Sequence, residues 1–295
     1  MTAGERVELA GEDGLRLVAD VFGPADGPPA LLLHGLGQSR QSWGAAAARV
    51  GEQGWRAYTV DLRGHGASDR PVESAYQHSD VAYDVVALCE AAGDPPLIIG
   101  ASMGGAAALF AQGRTGEQLF RGLVLVDITP DVDMEGGRRI IAFMTANPNG
   151  YASLEEAADA IGAYRNGRGR PSPAGLARVL RQGDDGRWRW HWDPRILDAR
   201  KTWLDDPAAA AEYAANMRAG MVAGAERLAV PCLLVRGGSS DVVTVEAARK
   251  LLVLIPHASF VDVADATHMV AGDRNDVFSA TVADFAAPLL QSAGA

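Results

Sequence analysis

The pentapeptide Gly100-Ala101-Ser102-Met103-Gly104 has the residue types and spacing expected for a serine nucleophile. A short apolar run ends at this Gly-x-Ser-x-Gly pattern, and an alanine-rich stretch with helical spacing follows it directly. Strand, tight turn and helix in this order expose a serine hydroxyl above a sheet, where it can attack a carbonyl carbon. The turn requires flanking residues with almost no side chain, and glycines satisfy that requirement. A serine that only caps the following helix would show the same five residues, so the pattern predicts a nucleophile only if its partners are also present.

Those partners would be a base, an acid that orients the base, and donors for the oxyanion. His268 lies in a loop after the last predicted strand, and Asp241 lies just after the predicted strand before it. Both positions are at the carboxyl ends of strands, where open α/β sheets place their ligands. Asp127 also ends a predicted strand, the one after the helix that follows Ser102, and is the rival acid.

The elements that must position these residues follow an alternating pattern. Short apolar runs alternate with segments of helical spacing up to about residue 130 and again from about residue 228. This alternation of strands and helices predicts an α/β fold with a mostly parallel sheet of about eight strands and helices on both faces. The predicted strands are residues 6–9, 15–21, 30–33, 55–60, the run that ends at Gly100, 119–126, 230–235 and 258–263.

The segment 131–227 departs from this alternation, because helices and loops are predicted there without a convincing parallel strand. We therefore expect a core formed by residues 1–130 and 228–295, with 131–227 inserted as a helical cap above the sheet. Four of the six tryptophans of the chain lie in this insertion: Trp188, Trp190, Trp192 and Trp203. They are candidates to line an apolar substrate pocket, and packing between cap and core is the alternative.

Four motifs together make the chain resemble the α/β-hydrolase superfamily, in particular its cap-bearing esterases, lactonases and meta-cleavage hydrolases. They are His34-Gly35-Leu36-Gly37, Asp61-Leu62-Arg63-Gly64-His65-Gly66-Ala67-Ser68, the Ser102 pentapeptide, and the pair Asp241 and His268. The resemblance covers nearly the whole chain and implies that Ser102 is the nucleophile, His268 the general base and Asp241 the acid. It further implies an oxyanion hole formed by the backbone N–H groups of Leu36 and Met103.

The resemblance implies a cofactor-free serine hydrolase that cleaves a carboxylic ester or lactone through an acyl-enzyme intermediate. Relatives that open epoxides or cleave carbon–halogen bonds carry aspartate in place of Ser102. A carbon–carbon bond hydrolase of vinylogous diketones is the first alternative, although that group usually has asparagine where this chain has Ala101. A hydrolase-fold ligand-binding protein with little catalysis is the second alternative, and it would usually lack one member of the triad.

Composition limits the partners. The net charge of −10 and the pI near 5.1 argue against nucleic acid and anionic membranes as partners. No motif indicates a metal or a cofactor, so the expected partner is a small apolar ester or lactone, and the oligomeric state stays open. Without a signal peptide or an apolar run of about 18 residues, a cytoplasmic protein is expected. Cys89 and Cys232 are then expected to be buried thiols.

Overall fold

The computed structural model describes residues 4–73, 76–164, 170–177, 179–264, 266, 268 and 276–291. Ten strands occur in this part of the chain. They are β1 (Glu5–Ala10), β2 (Arg16–Phe22), β3 (Pro29–Leu33), β4 (Arg56–Asp61), β5 (Leu97–Ala101), β6 (Gly122–Val126), β7 (Leu180–Gln182), β8 (Trp188–Trp190), β9 (Cys232–Gly237) and β10 (Ser259–Val263).

Eight of these strands form one sheet in the order β1-β2-β4-β3-β5-β6-β9-β10. The first two pairings, β1 with β2 and β2 with β4, are antiparallel, and the remaining pairings are parallel. In β5, Leu97 and Ile99 pack into one apolar layer and Ile98 into the other, and all three are fully buried. Burial on both faces explains why the central strands are continuously apolar in sequence. The prediction of a mostly parallel, eight-stranded sheet is confirmed.

The described helices are α1 (Gly44–Glu52), α2 (His78–Ala91), α3 (Met103–Arg114), α4 (Met134–Thr145), α5 (Leu154–Tyr164), α6 (Pro173–Leu176), α7 (Asp198–Asp205), α8 (Pro207–Glu226), α9 (Val245–Leu254) and α10 (Asp276–Gln291). Helices α1 and α10 cover one face of the sheet, where Ala47 packs in the same cluster as Phe278. Helices α2, α3 and α9 cover the other, where Val85, Leu109 and Leu251 share a second cluster. This arrangement is the expected layer of helices on both faces.

Between β6 and β9 the chain forms α4 to α8 and a small antiparallel sheet of β7 and β8. The sequence predicted only helices and loops in this inserted segment. The structure instead ends α6 at Leu176 and forms β7 at Leu180–Gln182. The alternation of aromatic and polar residues in Trp188-Arg189-Trp190 is a strand pattern that is too short to be decisive in sequence.

Two further findings concern the environment of the chain. No helix in the described ranges is long and apolar enough to cross a membrane. Cys89 and Cys232 are both buried and unpaired, as expected, and burial raises the pKa of each thiol to about 12. Thiols in such surroundings are inert, so neither cysteine is a candidate nucleophile.

Candidate active site

Ser102 occupies a sharp turn between β5, which ends at Ala101, and α3, which begins at Met103. Its backbone has φ 45° and ψ −111°, a conformation that non-glycine residues rarely adopt and that costs free energy. Two hydrogen bonds keep it there: Ser102 N–H donates to the carbonyl of Val126 at 3.0 Å, and Ala106 N–H donates to the carbonyl of Ser102 at 2.9 Å. The strained turn is the strand–turn–helix geometry that presents a nucleophile.

The glycines around this turn are required by close backbone approach. A Cβ atom on Gly100 would lie 2.6 Å from the backbone of Gly105, and one on Gly104 would lie 2.4 Å from the carbonyl oxygen of Leu33. Atoms cannot pack so closely, so larger residues would push α3 away from β3 and β5. The glycine pattern thus reflects the packing of the turn against the neighbouring strand.

His268 connects Ser102 to a carboxylate. Its Nε2 lies 3.2 Å from the Oγ of Ser102, and its Nδ1 lies 2.6 Å from Oδ2 of Asp127. The Asp127 side chain is fully buried, and its Oδ1 accepts a hydrogen bond from the N–H of Gly237 at 2.9 Å. Its backbone, at φ 50°, is also in the left-handed region. A hydroxyl, an imidazole and a carboxylate in this order are the groups that activate a serine for attack on a carbonyl.

The prediction that Asp241 is the carboxylate beside His268 is wrong. The Asp241 side chain is 43% exposed and faces Arg139 of α4, with Oδ2 3.4 Å from Nη2 of the arginine. The reason lies in the sheet order, because β6 is hydrogen-bonded directly to β5 whereas β9 is one strand further away. Asp127, at the end of β6, is therefore next to the Ser102 turn. The loop after β9 brings Ser240 to it instead, with Ser240 Oγ 2.5 Å from Oδ2 of Asp127.

The loop after β3 packs directly on the serine, since a Cβ on Gly35 would lie 3.3 Å from the Cβ of Ser102. The carbonyl of Gly35 accepts hydrogen bonds from Nδ1 of His34 at 2.8 Å and from Gln38 N–H at 3.1 Å. Because the peptide unit is planar and trans, fixing this carbonyl also fixes the N–H of Leu36, which points the opposite way.

Leu36 and Met103 are the two residues expected to supply oxyanion donors. Within the described residues neither backbone N–H has a protein acceptor, whereas the N–H groups of Gly35 and Gly37 are both hydrogen-bonded. Met103 is the first residue of α3, where N–H groups have no intrahelical acceptor and the helix dipole is positive. Both donors are thus available to a ligand. Gln38, which sequence reasoning did not single out, closes the loop by accepting from the N–H of Gly35 at 2.9 Å.

Two buried histidines stabilise this loop without being bases. The Nε2 atom of His34 accepts from the N–H of Leu62 at 3.0 Å, so Nδ1 carries the proton that is donated to Gly35. The Nε2 atom of His65 accepts from the N–H of Gly37 at 3.2 Å in the same way. Burial lowers the pKa of His34 to about 3 and brings the pKa of His65 well below its ordinary value, so both are neutral at pH 7.

Two further histidines, His191 and His78, have partners that the sequence did not reveal. Nδ1 of His191, in the inserted segment, accepts from the N–H of Gly66 at 2.8 Å and so joins that segment to the turn after β4. His78 contacts the hydroxyl of Tyr213 through Nε2. Burial lowers the pKa of His78 to about 3 and that of His191 to about 4. These histidines are structural links between the inserted segment and the core.

The four tryptophans of the inserted segment differ in position. Trp188 packs in a cluster internal to the segment and pairs with Tyr151, and Trp190 stacks on Trp192 with centroids 6.4 Å apart. The ring of Trp203 lies against the ring of Tyr213, with centroids 4.0 Å apart. Trp192 borders the loop after β3: its Nε1 would lie 3.5 Å from a Cβ on Gly37, and the atom is buried without a hydrogen-bond partner in the described structure.

No group of three or more metal-ligating side chains occurs in the part of the chain that the structure describes. The candidate site combines Ser102, His268 and Asp127 with the backbone N–H groups of Leu36 and Met103.

Several known proteins resemble this chain in sequence or in fold. A family model described as the alpha/beta hydrolase family matches residues 30–281. The 2-(acetamidomethylene)succinate hydrolase of Mesorhizobium japonicum is 29% identical over 256 residues, which are 86% of this chain and 86% of the relative. The esterase Rv0045c of Mycobacterium tuberculosis is 28% identical over 261 residues, or 84% of this chain and 78% of the relative.

Solved structures show the same fold. The crystal structure of E-2-(acetamidomethylene)succinate hydrolase superposes with a TM-score of 0.72 at 23% identity and covers 95% of this chain and 99% of its own. At this level of identity the likeness concerns the fold. A shared fold does not determine the activity, which depends on the residues of the site.

Proposed function

Since the chain belongs to the alpha/beta hydrolase family, we propose that this hydrolase is a cofactor-free serine enzyme that cleaves a carboxylic ester or lactone through an acyl-enzyme. The observation that carries the proposal is the chain of contacts from Ser102 Oγ to His268 Nε2 and from His268 Nδ1 to Asp127 Oδ2, at 3.2 Å and 2.6 Å. It supports the roles expected for Ser102 and His268, and it supports Asp127 as the acid.

In the proposed acylation step, the Asp127 carboxylate accepts the Nδ1–H of His268 and leaves the Nε2 lone pair facing the serine. As Ser102 Oγ bonds to the carbonyl carbon, its proton moves to Nε2 and the carbonyl oxygen becomes an oxyanion. The Leu36 and Met103 N–H groups donate to that oxyanion, and donors of this kind typically stabilise the transition state by about 3 kcal/mol each. The tetrahedral intermediate then expels the alcohol, which takes the proton from Nε2.

In the proposed deacylation step, water attacks the acyl carbon and passes a proton to Nε2 of His268. The second tetrahedral intermediate expels Ser102 Oγ, which recovers the proton, and the carboxylic acid leaves. A lactone follows the same steps, except that the alcohol and the acid are released as one molecule. No metal or cofactor takes part in either step.

The proposal also specifies which kind of bond the enzyme hydrolyses. One relative is named an esterase and another a hydrolase of 2-(acetamidomethylene)succinate, and hydrolysis is common to both names. Ala101, directly before Ser102, favours ester chemistry over cleavage of vinylogous diketones, a group that usually has asparagine at this position. The substrate is proposed to be a small molecule, and the cytoplasmic location stays a prediction from the sequence.

The test combines a substrate panel with active-site labelling. The purified protein and its Ser102→Ala variant are assayed with aryl esters, alkyl esters of several lengths, lactones and a dienoic diketone. Both are also treated with a fluorophosphonate, and the adduct is mapped by mass spectrometry. The proposal expects ester or lactone turnover and an adduct on Ser102, both lost in the variant. Turnover of the diketone alone, the absence of an adduct on Ser102, or equal turnover by the variant would overturn it.

A further inference from the structure

Ser240 holds the carboxylate that contacts His268. Its hydroxyl donates to Oδ2 of Asp127 at 2.5 Å, so this one oxygen accepts from both Ser240 and His268. The orientation of the hydroxyl is itself fixed, because Oγ accepts from the backbone N–H groups of Val242 and Val243 at 3.1 Å each. The proton of Ser240 is thereby directed to the carboxylate.

The loop that carries Ser240, residues 239–243, is packed on its other side against α4 of the inserted segment. The N–H of Asp133, which caps α4, donates to the carbonyl of Val242 at 2.8 Å. A Cβ on Gly136 would lie only 2.0 Å from the carbonyl oxygen of Asp241, so helix and loop touch through their backbones. The exposed pair of Arg139 and Asp241 continues the same contact.

We propose that Ser240 is a positioning residue for Asp127. The loop 239–243 then couples the position of α4 to the orientation of the Asp127 carboxylate. The inference rests on the function proposed above and goes beyond it. A displacement of α4 shifts the Asp241 and Val242 backbone, turns the Ser240 hydroxyl, and changes how Asp127 holds His268. Ser240 acts through Asp127 and His268, so its effect belongs to the chemical step and not to substrate affinity.

The first test compares Ser240→Ala with Ser240→Thr, using p-nitrophenyl acetate as the probe. Loss of a hydrogen bond to a charged group is expected to lower kcat about 10- to 100-fold in the alanine variant. KM is expected to stay within about twofold of the wild-type value, because the Ser240 hydroxyl contacts Asp127 and is not expected to contact the substrate. Threonine keeps the hydroxyl and is expected to restore most of kcat. A wild-type kcat for Ser240→Ala, an equal loss in both variants, or a loss confined to KM would overturn the proposal.

The second test uses two neighbouring glycines of α4 as a matched pair. An added Cβ at Gly136 meets the carbonyl of Asp241, whereas one at Gly137 has open space. Both changes to alanine favour the helix equally by propensity, so only the contact with the loop differs. Gly136→Ala is expected to lower kcat at least about fivefold, and Gly137→Ala to leave it unchanged.

Each glycine variant is then combined with Ser240→Ala. If Ser240 carries the coupling, Gly136→Ala lowers kcat no further in the Ser240→Ala background. An equal loss in both backgrounds, or a loss from Gly137→Ala as large as that from Gly136→Ala, contradicts the coupling. The activities of Ser102→Ala and Ser240→Ala separate the two proposals. A Ser102→Ala variant with full activity overturns the proposed function, whereas an inactive Ser102→Ala beside a fully active Ser240→Ala overturns only this inference.

Discussion

Asp127 and His268 are 141 residues apart in sequence, yet Oδ2 of the first lies 2.6 Å from Nδ1 of the second. The contact joins the end of β6 to the loop after β10, across the position of β9 in the sheet. Asp127 can occupy this place because β6 is adjacent to β5, at whose end Ser102 lies. The β9 loop then supplies Ser240 as a donor to the carboxylate.

Acid stability follows from the buried histidines. Burial lowers the pKa of His34 and His78 to about 3 and that of His191 to about 4, whereas an unfolded histidine titrates near 6.5. Below pH 6.5 the unfolded chain therefore binds more protons than the folded one, and the free energy of unfolding falls as the pH falls towards 3. Each of these histidines is expected to contribute a slope of up to about 1.4 kcal/mol per pH unit.

Urea unfolding at pH 7, 6 and 5 measures this slope in a range where carboxylates stay ionised in the unfolded chain. The midpoint is expected to decrease steadily from pH 7 to pH 5. The variant His191→Gln, which removes one of the titrating groups, is expected to show a shallower decrease. A midpoint that does not change between pH 7 and pH 5 would contradict the assignment of these histidines as buried and neutral.

His34 is expected to affect catalysis through the orientation of a peptide unit. In His34→Ala the carbonyl of Gly35 loses one of its two donors, and the N–H of Leu36 is no longer firmly directed. Because losing one oxyanion donor costs about 10²- to 10³-fold in kcat, a loosened donor is expected to cost at least about 10-fold. The exposed His257, in the variant His257→Gln, is the matched control. Equal kcat values for His34→Ala and the wild type would contradict the role of this loop.

Trp192 and Trp188 are expected to differ in their effect on turnover. Trp192 borders the loop that carries Leu36, whereas Trp188 packs inside the inserted segment. Trp192→Phe leaves a gap beside the loop and is expected to lower kcat/KM for an aryl ester at least about fivefold. Trp188→Phe is expected to stay within about twofold of the wild type. Equal effects of the two changes would show that neither ring is specific to the site.

The sequence predicted the sheet well because its central strands are buried on both faces and must be continuously apolar. It predicted the inserted segment less well, since β7 and β8 have three residues each and carry almost no periodic signal. Which of the four tryptophans approaches the site depends on how the inserted segment packs against the core, and no local sequence pattern encodes this packing.

The choice of acid shows the same limit. Asp127 and Asp241 each follow a strand, and the sequence does not show which side chain turns towards His268. That depends on the left-handed backbone of Asp127 and on the turn that brings the Ser240 hydroxyl to Asp127. Ser240 itself carried no signal, because a serine in a Gly-Gly-Ser-Ser-Asp loop is an ordinary turn residue.

The most direct test of the account compares kcat for Asp127→Asn and Asp241→Asn on the same ester. The first change keeps the shape but removes the charge that orients the imidazole and stabilises it when it takes the proton, so kcat is expected to fall about 10⁴-fold. The second removes only an exposed ion pair with Arg139, and kcat is expected to stay within about twofold. Loss of activity in Asp241→Asn with retention in Asp127→Asn would contradict the proposed triad.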